Sequence, residues 1–81
     1  MTDDELREKL AELEHKQWMC WAKDIMKQEK ISKKKIIRWK KCMIPYKKLS
    51  EEMKDFDRKW ADVIISIIHE YNISQKNNYF F

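Results

Sequence analysis

Glycine is absent from all 81 residues, and proline occurs once, at Pro45. Tight hairpins, P-loops and glycine-rich nucleotide cradles need positive φ or close backbone approach, so their absence here disfavours sheets and phosphate-cradle folds. Cysteine is scarce, with only Cys20 and Cys42, and the chain opens on the charged run Thr2-Asp3-Asp4-Glu5 in place of a secretion signal. Two free thiols in a reducing, cytoplasmic setting are therefore expected. In that setting the sequon Asn72-Ile73-Ser74 carries no weight. Long apolar runs are missing as well. The longest, Val63 to Ile68, is broken by Ser66 and falls far short of the roughly 20 residues of a spanning helix, so no membrane partner is expected.

What is present is charge and tryptophan. Charged residues make up 40% of the chain, against about 25% in an ordinary globular domain, which predicts many solvated helix faces around a thin core. Trp18, Trp21, Trp39 and Trp60 offset the small size by the large area each ring buries. The net charge of +4 is unevenly spread: residues 23–48 hold eleven Lys or Arg against Asp24 and Glu29 alone, whereas acids outnumber bases on either side. A basic block of this density sets up a field that attracts polyanions.

The periodicity predicts an all-α, compact three-helix domain over residues 1–74 with a tail at 75–81. Thr2-Asp3-Asp4-Glu5 reads as a capping box. From it a helix of roughly 3–28 carries one apolar stripe through Leu6, Leu10, Leu13, Trp21 and Ile25 and a second through His15, Trp18, Ala22 and Met26. Two stripes make it the centre of the fold. Ser32 caps a shorter helix of roughly 33–43, with Ile36, Trp39 and Met43 on one face and Lys34, Arg38 and Lys41 on the other. Pro45 stops it and opens an extended Pro-Tyr loop. Ser50, followed by Glu51 and Glu52, starts the third helix, whose stripe of Met53, Phe56, Trp60, Val63, Ile64, Ile67 and Tyr71 is the most regular in the chain. Trp18, Trp21 or both, with Phe56 and Trp60, are expected to be mostly buried. The thin core and the terminal Tyr79-Phe80-Phe81 predict a homo-oligomer.

Two segments carry a family resemblance. They are Leu10 to Trp18, where His15 and Trp18 stand three apart, and Ile44 to Arg58, with Pro45-Tyr46, Leu49-Ser50-Glu51, Lys54 and the Asp57-Arg58 pair. Together they resemble the ryanodine-receptor (RyR) domain, in the small bacterial or phage form, over about residues 6–64. The family's Gly-Trp turn is replaced here by Lys33 to Trp39. The resemblance implies a mostly helical fold, a scaffolding or nucleotide-derivative-sensing role, and no catalytic residue.

The candidate ligand site gathers Arg38, Trp39, Lys41 and Tyr46 where the Pro-Tyr loop meets the basic helix, with His15 and Trp18 behind them. Flat aromatics beside clustered cations suit an anionic aromatic ligand such as a nucleotide. Each of these residues also has a structural reading. His15 would bond to the Pro-Tyr loop, Tyr46 and Trp39 would plug that loop onto the core, and Asp57 and Arg58 would tie the third helix to its neighbours. Catalysis finds no nucleophile and base in register, and His15, Cys20, Cys42 and His69 lack a metal-ligand spacing, so neither an enzyme nor a metal or cofactor site is expected. Two functions follow. The first is a non-enzymatic binding module that takes or sequesters a nucleotide-derived signal, with a phage origin expected from its Lys-, Ile- and Asn-rich brevity. The alternative is a basic nucleic-acid-binding protein whose helix 33–43 meets phosphate, since lysines read charge and not sequence.

Overall fold

The computed structural model describes residues 1–78, and among them the chain forms three α-helices and one 3-10 turn, with no strand: α1 (Asp3–Gln28), α2 (Lys33–Cys42), the turn Tyr46–Lys48, and α3 (Glu51–Asn78). Capping chemistry sets the helix starts. The Thr2 hydroxyl accepts from the Glu5 amide at 3.2 Å, that of Ser32 from the Lys35 amide at 3.3 Å, and that of Ser50 from the Met53 amide at 3.2 Å. Acids fill the first turns of α1 and α3, where they face the positive end of the dipole. α2 has none there. It ends at Cys42, one residue short of the expected boundary. α3 runs on to Asn78, past the expected start of a tail at 75, because no proline or glycine interrupts it. Tyr79-Phe80-Phe81, the expected apolar tail, lies outside the described residues.

α1 and α3 lie antiparallel. Arg7 donates to both Asp62 oxygens at 2.7 and 3.1 Å, Arg58 donates to Glu8 at 2.9 Å, and His69 sits 3.8 Å from Asp3, so rising numbers on one helix meet falling numbers on the other. The two helices meet at small residues: Ala11 and Ala61 are fully buried, as is Ala22 further along α1. Tyr46 and Leu49, from the segment after Pro45, complete that core, with Leu10, Ile44 and Met53 packed against it. The Pro45 geometry, φ −55° and ψ 142°, swings the chain across the hairpin so that both side chains point into it.

This arrangement corrects the expected core. Trp21, Phe56 and Trp60 are 53%, 64% and 56% exposed, and Trp18 is only half-buried. The reason is steric: helices joined through alanines approach closely, and their large side chains are carried to the flanks. Among the described residues no large side chain is fully buried. The molecule is accordingly long and thin, 58 × 26 × 15 Å. No helix among the described residues is long and apolar enough to cross a membrane.

Candidate functional site: a groove at the junction of three helices

α2 buries nothing completely. It is held against the hairpin by aromatic contact: the Trp39 ring meets Trp18 edge-on, centroids 6.2 Å apart at 77°, and lies 5.6 Å from Trp21. Lys35 Nζ stands 5.6 Å from the Trp39 ring centre, within reach of a cation–π contact. Because α2 touches α1 through rings at its middle, it leaves a groove of about 370 Å³ between itself and α3.

α1 supplies His15 and Trp18 to this groove, α2 supplies Arg38, Trp39 and Cys42, and α3 supplies Met53, Phe56 and Asp57. His15 and Trp18 lie one helical turn apart and stack, with centroids 6.0 Å apart and planes 18° from parallel. His15 is fixed from below, since its Nε2–H donates to the Ile44 carbonyl at 2.7 Å. Its Nδ1 faces the Asp57 carboxylate at 3.8 Å, beyond hydrogen-bonding range. Burial raises the Asp57 pKa above the ordinary carboxylate value; the charge of His15 opposes that shift and Glu14 adds to it. Arg38, exposed at the rim, has no ion-pair partner among the described residues.

Four of the six residues expected at the site therefore converge: His15, Trp18, Arg38 and Trp39. Tyr46 and Lys41 do not join them. Lys41 is exposed on α2. Tyr46 lies on the far side of His15, 6.4 Å away and tilted by 51°, so the expected order, with His15 behind Tyr46, is inverted. Its ring is buried under Lys54, whose Nζ is 5.5 Å from the ring centre, and its hydroxyl donates to Glu8 in a short hydrogen bond. Arg58 completes that network, with hydrogen bonds to Glu8 at 2.9 Å, Glu51 at 2.7 Å and Asp55 at 3.0 Å. Burial, and then the bond to Glu8, push the Tyr46 pKa up to about 12. The same bond, more than that from Arg58, draws Glu8 down. Tyr46 and Arg58 thus join α1, the 3-10 turn and α3. A second, polar hollow beside them is lined by Glu8, Lys9, Glu12, Lys47 and Arg58 among others, and within it Arg58 pairs with Glu8 at 2.7 Å.

No protein-family model, curated protein or solved structure matches this chain.

Cys42, Met53, Phe56 and Asp57 are the groove residues that sequence reasoning did not place there. Met53, Phe56 and Asp57 had been visible, the first two in the α3 stripe and Asp57 in the Asp-Arg pair. What was missing was the antiparallel return of α3 past His15, which no local spacing encodes. Chemically the groove offers apolar and aromatic walls, one free guanidinium at its mouth and one desolvated carboxylate at its floor. No three His, Cys, Asp or Glu side chains among the described residues are grouped so as to hold a metal ion.

Proposed function

We propose that the protein is a non-enzymatic binding module, of the RyR-domain type that its sequence resembles, and that it takes a flat aromatic anion, a nucleotide or nucleotide-derived signal, in the three-helix groove. The observation that carries this reading is the pairing of Trp18 and Trp39 on the groove wall with an uncompensated Arg38 at its rim. A volume of about 370 Å³ lies at the lower end of small-ligand pockets, enough for one ring system with its charged group projecting through the open side. There Arg38 meets phosphate as a planar, always-charged donor, and Lys41, three residues on, adds to the field. The two free thiols, Cys20 exposed and Cys42 at the groove, suit a reducing cytoplasm.

The second reading keeps one specific observation in its favour. α2 carries no acid, and Lys33, Lys34, Lys35, Lys40 and Lys41 are all exposed on it. Such a helix meets nucleic-acid phosphate through counterion release, with a steep loss at rising salt.

Titration of the intact protein with ATP and with adenosine, followed by tryptophan fluorescence, separates the two. The groove reading expects Trp39→Ala to weaken both ligands about tenfold, as loss of one stacking partner does. Arg38→Ala is expected to weaken ATP about fivefold and leave adenosine unchanged. Losses shared evenly by the five lysines, on a duplex and only at low salt, would instead establish the nucleic-acid reading. Failure of the wild type to bind ATP would refute the nucleotide proposal.

A further inference from the structure

α3 carries two different faces. The alanine face meets α1, while Phe56, Trp60, Val63, Ile67 and Tyr71, at successive spacings of four, three, four and four residues, form a continuous stripe that nothing among the described residues covers. Val63, Ile67 and Tyr71 are 45%, 58% and 61% exposed, like the aromatics before them. A large aromatic buries 150–250 Å², so the three half-exposed rings alone present roughly 350 Å², before the aliphatic residues are included. Monomeric proteins seldom leave more than a few hundred Å² of contiguous apolar surface open. A standard interface needs roughly 800 Å² from each partner, and this stripe supplies the apolar centre of one.

We propose that this stripe pairs with the same stripe of a second copy, antiparallel, about a two-fold axis passing between Val63 and Ile64. Two properties of the sequence favour that occupant. The first is self-complementarity: with the axis there, Trp60 faces Ile67 of the second copy and Phe56 faces its Tyr71, so large apolar side chains meet on both sides of the axis, with the smaller Val63 near its centre. An isologous contact of this kind closes on itself and stops at two copies. The second is charge. Lys59 and Glu70 stand eleven residues apart, close to three full turns, and therefore lie on the same flank of the stripe. Antiparallel pairing brings like flanks together, so Lys59 of each copy meets Glu70 of the other and two ion pairs form by symmetry. Both residues are exposed, and neither has an ion-pair partner among the described residues. The pairing also reaches the groove, because Phe56 belongs to both surfaces. The second copy's Tyr71 then stands at the groove's α3 edge.

Sedimentation equilibrium of the intact chain across 1–100 µM tests this, using the approximation of about 10 kDa per copy from the 10.1 kDa chain mass. The wild type is expected to sediment as a dimer, and Trp60→Asp and Ile67→Asp each to raise the dissociation constant about tenfold or more. Both positions are exposed, so far-UV circular dichroism is expected to show helix retained in both variants. Lys59→Glu and Glu70→Lys are each expected to weaken the dimer several-fold, and the double exchange to restore it, as only an antiparallel register allows. A wild type that stays monomeric at 100 µM overturns the proposal, as does a dimer indifferent to both aspartate variants. Charge reversals that add instead of compensating overturn the register.

Discussion

At the scale of single residues, the same local pattern yields two outcomes. Tyr46 and Trp39 flank the same break in helicity at Pro45, yet Trp39 reaches the groove and Tyr46 the core. What separates them is the partner available to the polar end. The Tyr46 hydroxyl finds the Glu8 carboxylate, already oriented by Arg58, and a buried phenol with a charged acceptor is held firmly. Burial of the phenol, together with that bond, has a pH signature. The Tyr46 pKa is raised in the fold, to about 12, so its contribution is complete below the ordinary phenol range and is lost as pH rises from about 10 through about 12. Glu8 is lowered, so the other side of the same bond is present above the usual carboxylate range and fades as pH falls through it. Tyr46→Phe is therefore expected to lower the melting temperature at pH 7, by an amount equivalent to about 1–3 kcal/mol, and the gap from wild type to close as pH rises from 10 to 12. Thermal melts across that range check it; a gap independent of pH would show that the phenol does not ionise against the fold. Since Tyr46 lies behind His15, the same variant is expected to leave ligand affinity nearly unchanged.

At the scale of elements, helix boundaries were legible and helix burial was not. Thr2, Ser32 and Ser50 cap the three helices as their short polar side chains and the following acids or apolar runs predict, and α1 spans its expected 3–28. Pro45 breaks the chain where it must. His15 bonds to the Ile44 carbonyl and Arg58 joins α3 to α1, both as a structural reading of their sequence contexts anticipates. The fate of the large apolar residues was hidden because periodicity reports that a stripe exists, never which element it meets. Ala11 and Ala61, weak signals in any hydropathy pattern, decided the hairpin contact and left Phe56 and Trp60 outside. The groove was half legible for a related reason. Its α1 and α2 residues belong to neighbouring turns, whereas Met53, Phe56 and Asp57 arrive through the fold. α2, attached through Trp39 and burying no residue completely, is the least secured element. Its amides are expected to exchange with solvent faster than those at the centres of α1 and α3. A groove ligand touches all three helices, so it is expected to slow exchange in α2 most; equal protection of all three helices in the free protein would contradict this.

At the scale of the whole molecule, charge and shape divide the surface into regions with separate tasks. The basic block of residues 23–48 lies over α2 and the loops around it, the groove opens beside it, and the apolar stripe of α3 runs along another flank. The four tryptophans sample these regions. Trp18 and Trp39 line the groove, Trp21 touches Trp39 from outside the lining, and Trp60 lies on the α3 stripe. Each indole N–H gives one resonance, so a ¹H–¹⁵N titration of the intact protein with ATP reads the location of the ligand in four signals. The Trp18 and Trp39 indole signals are expected to move together and saturate, Trp21 to move less, and Trp60 to stay in place. A titration in which Trp60 moves as far as Trp39, or in which only the lysine-rich turns of α2 respond while all four indoles remain still, would contradict binding in the groove.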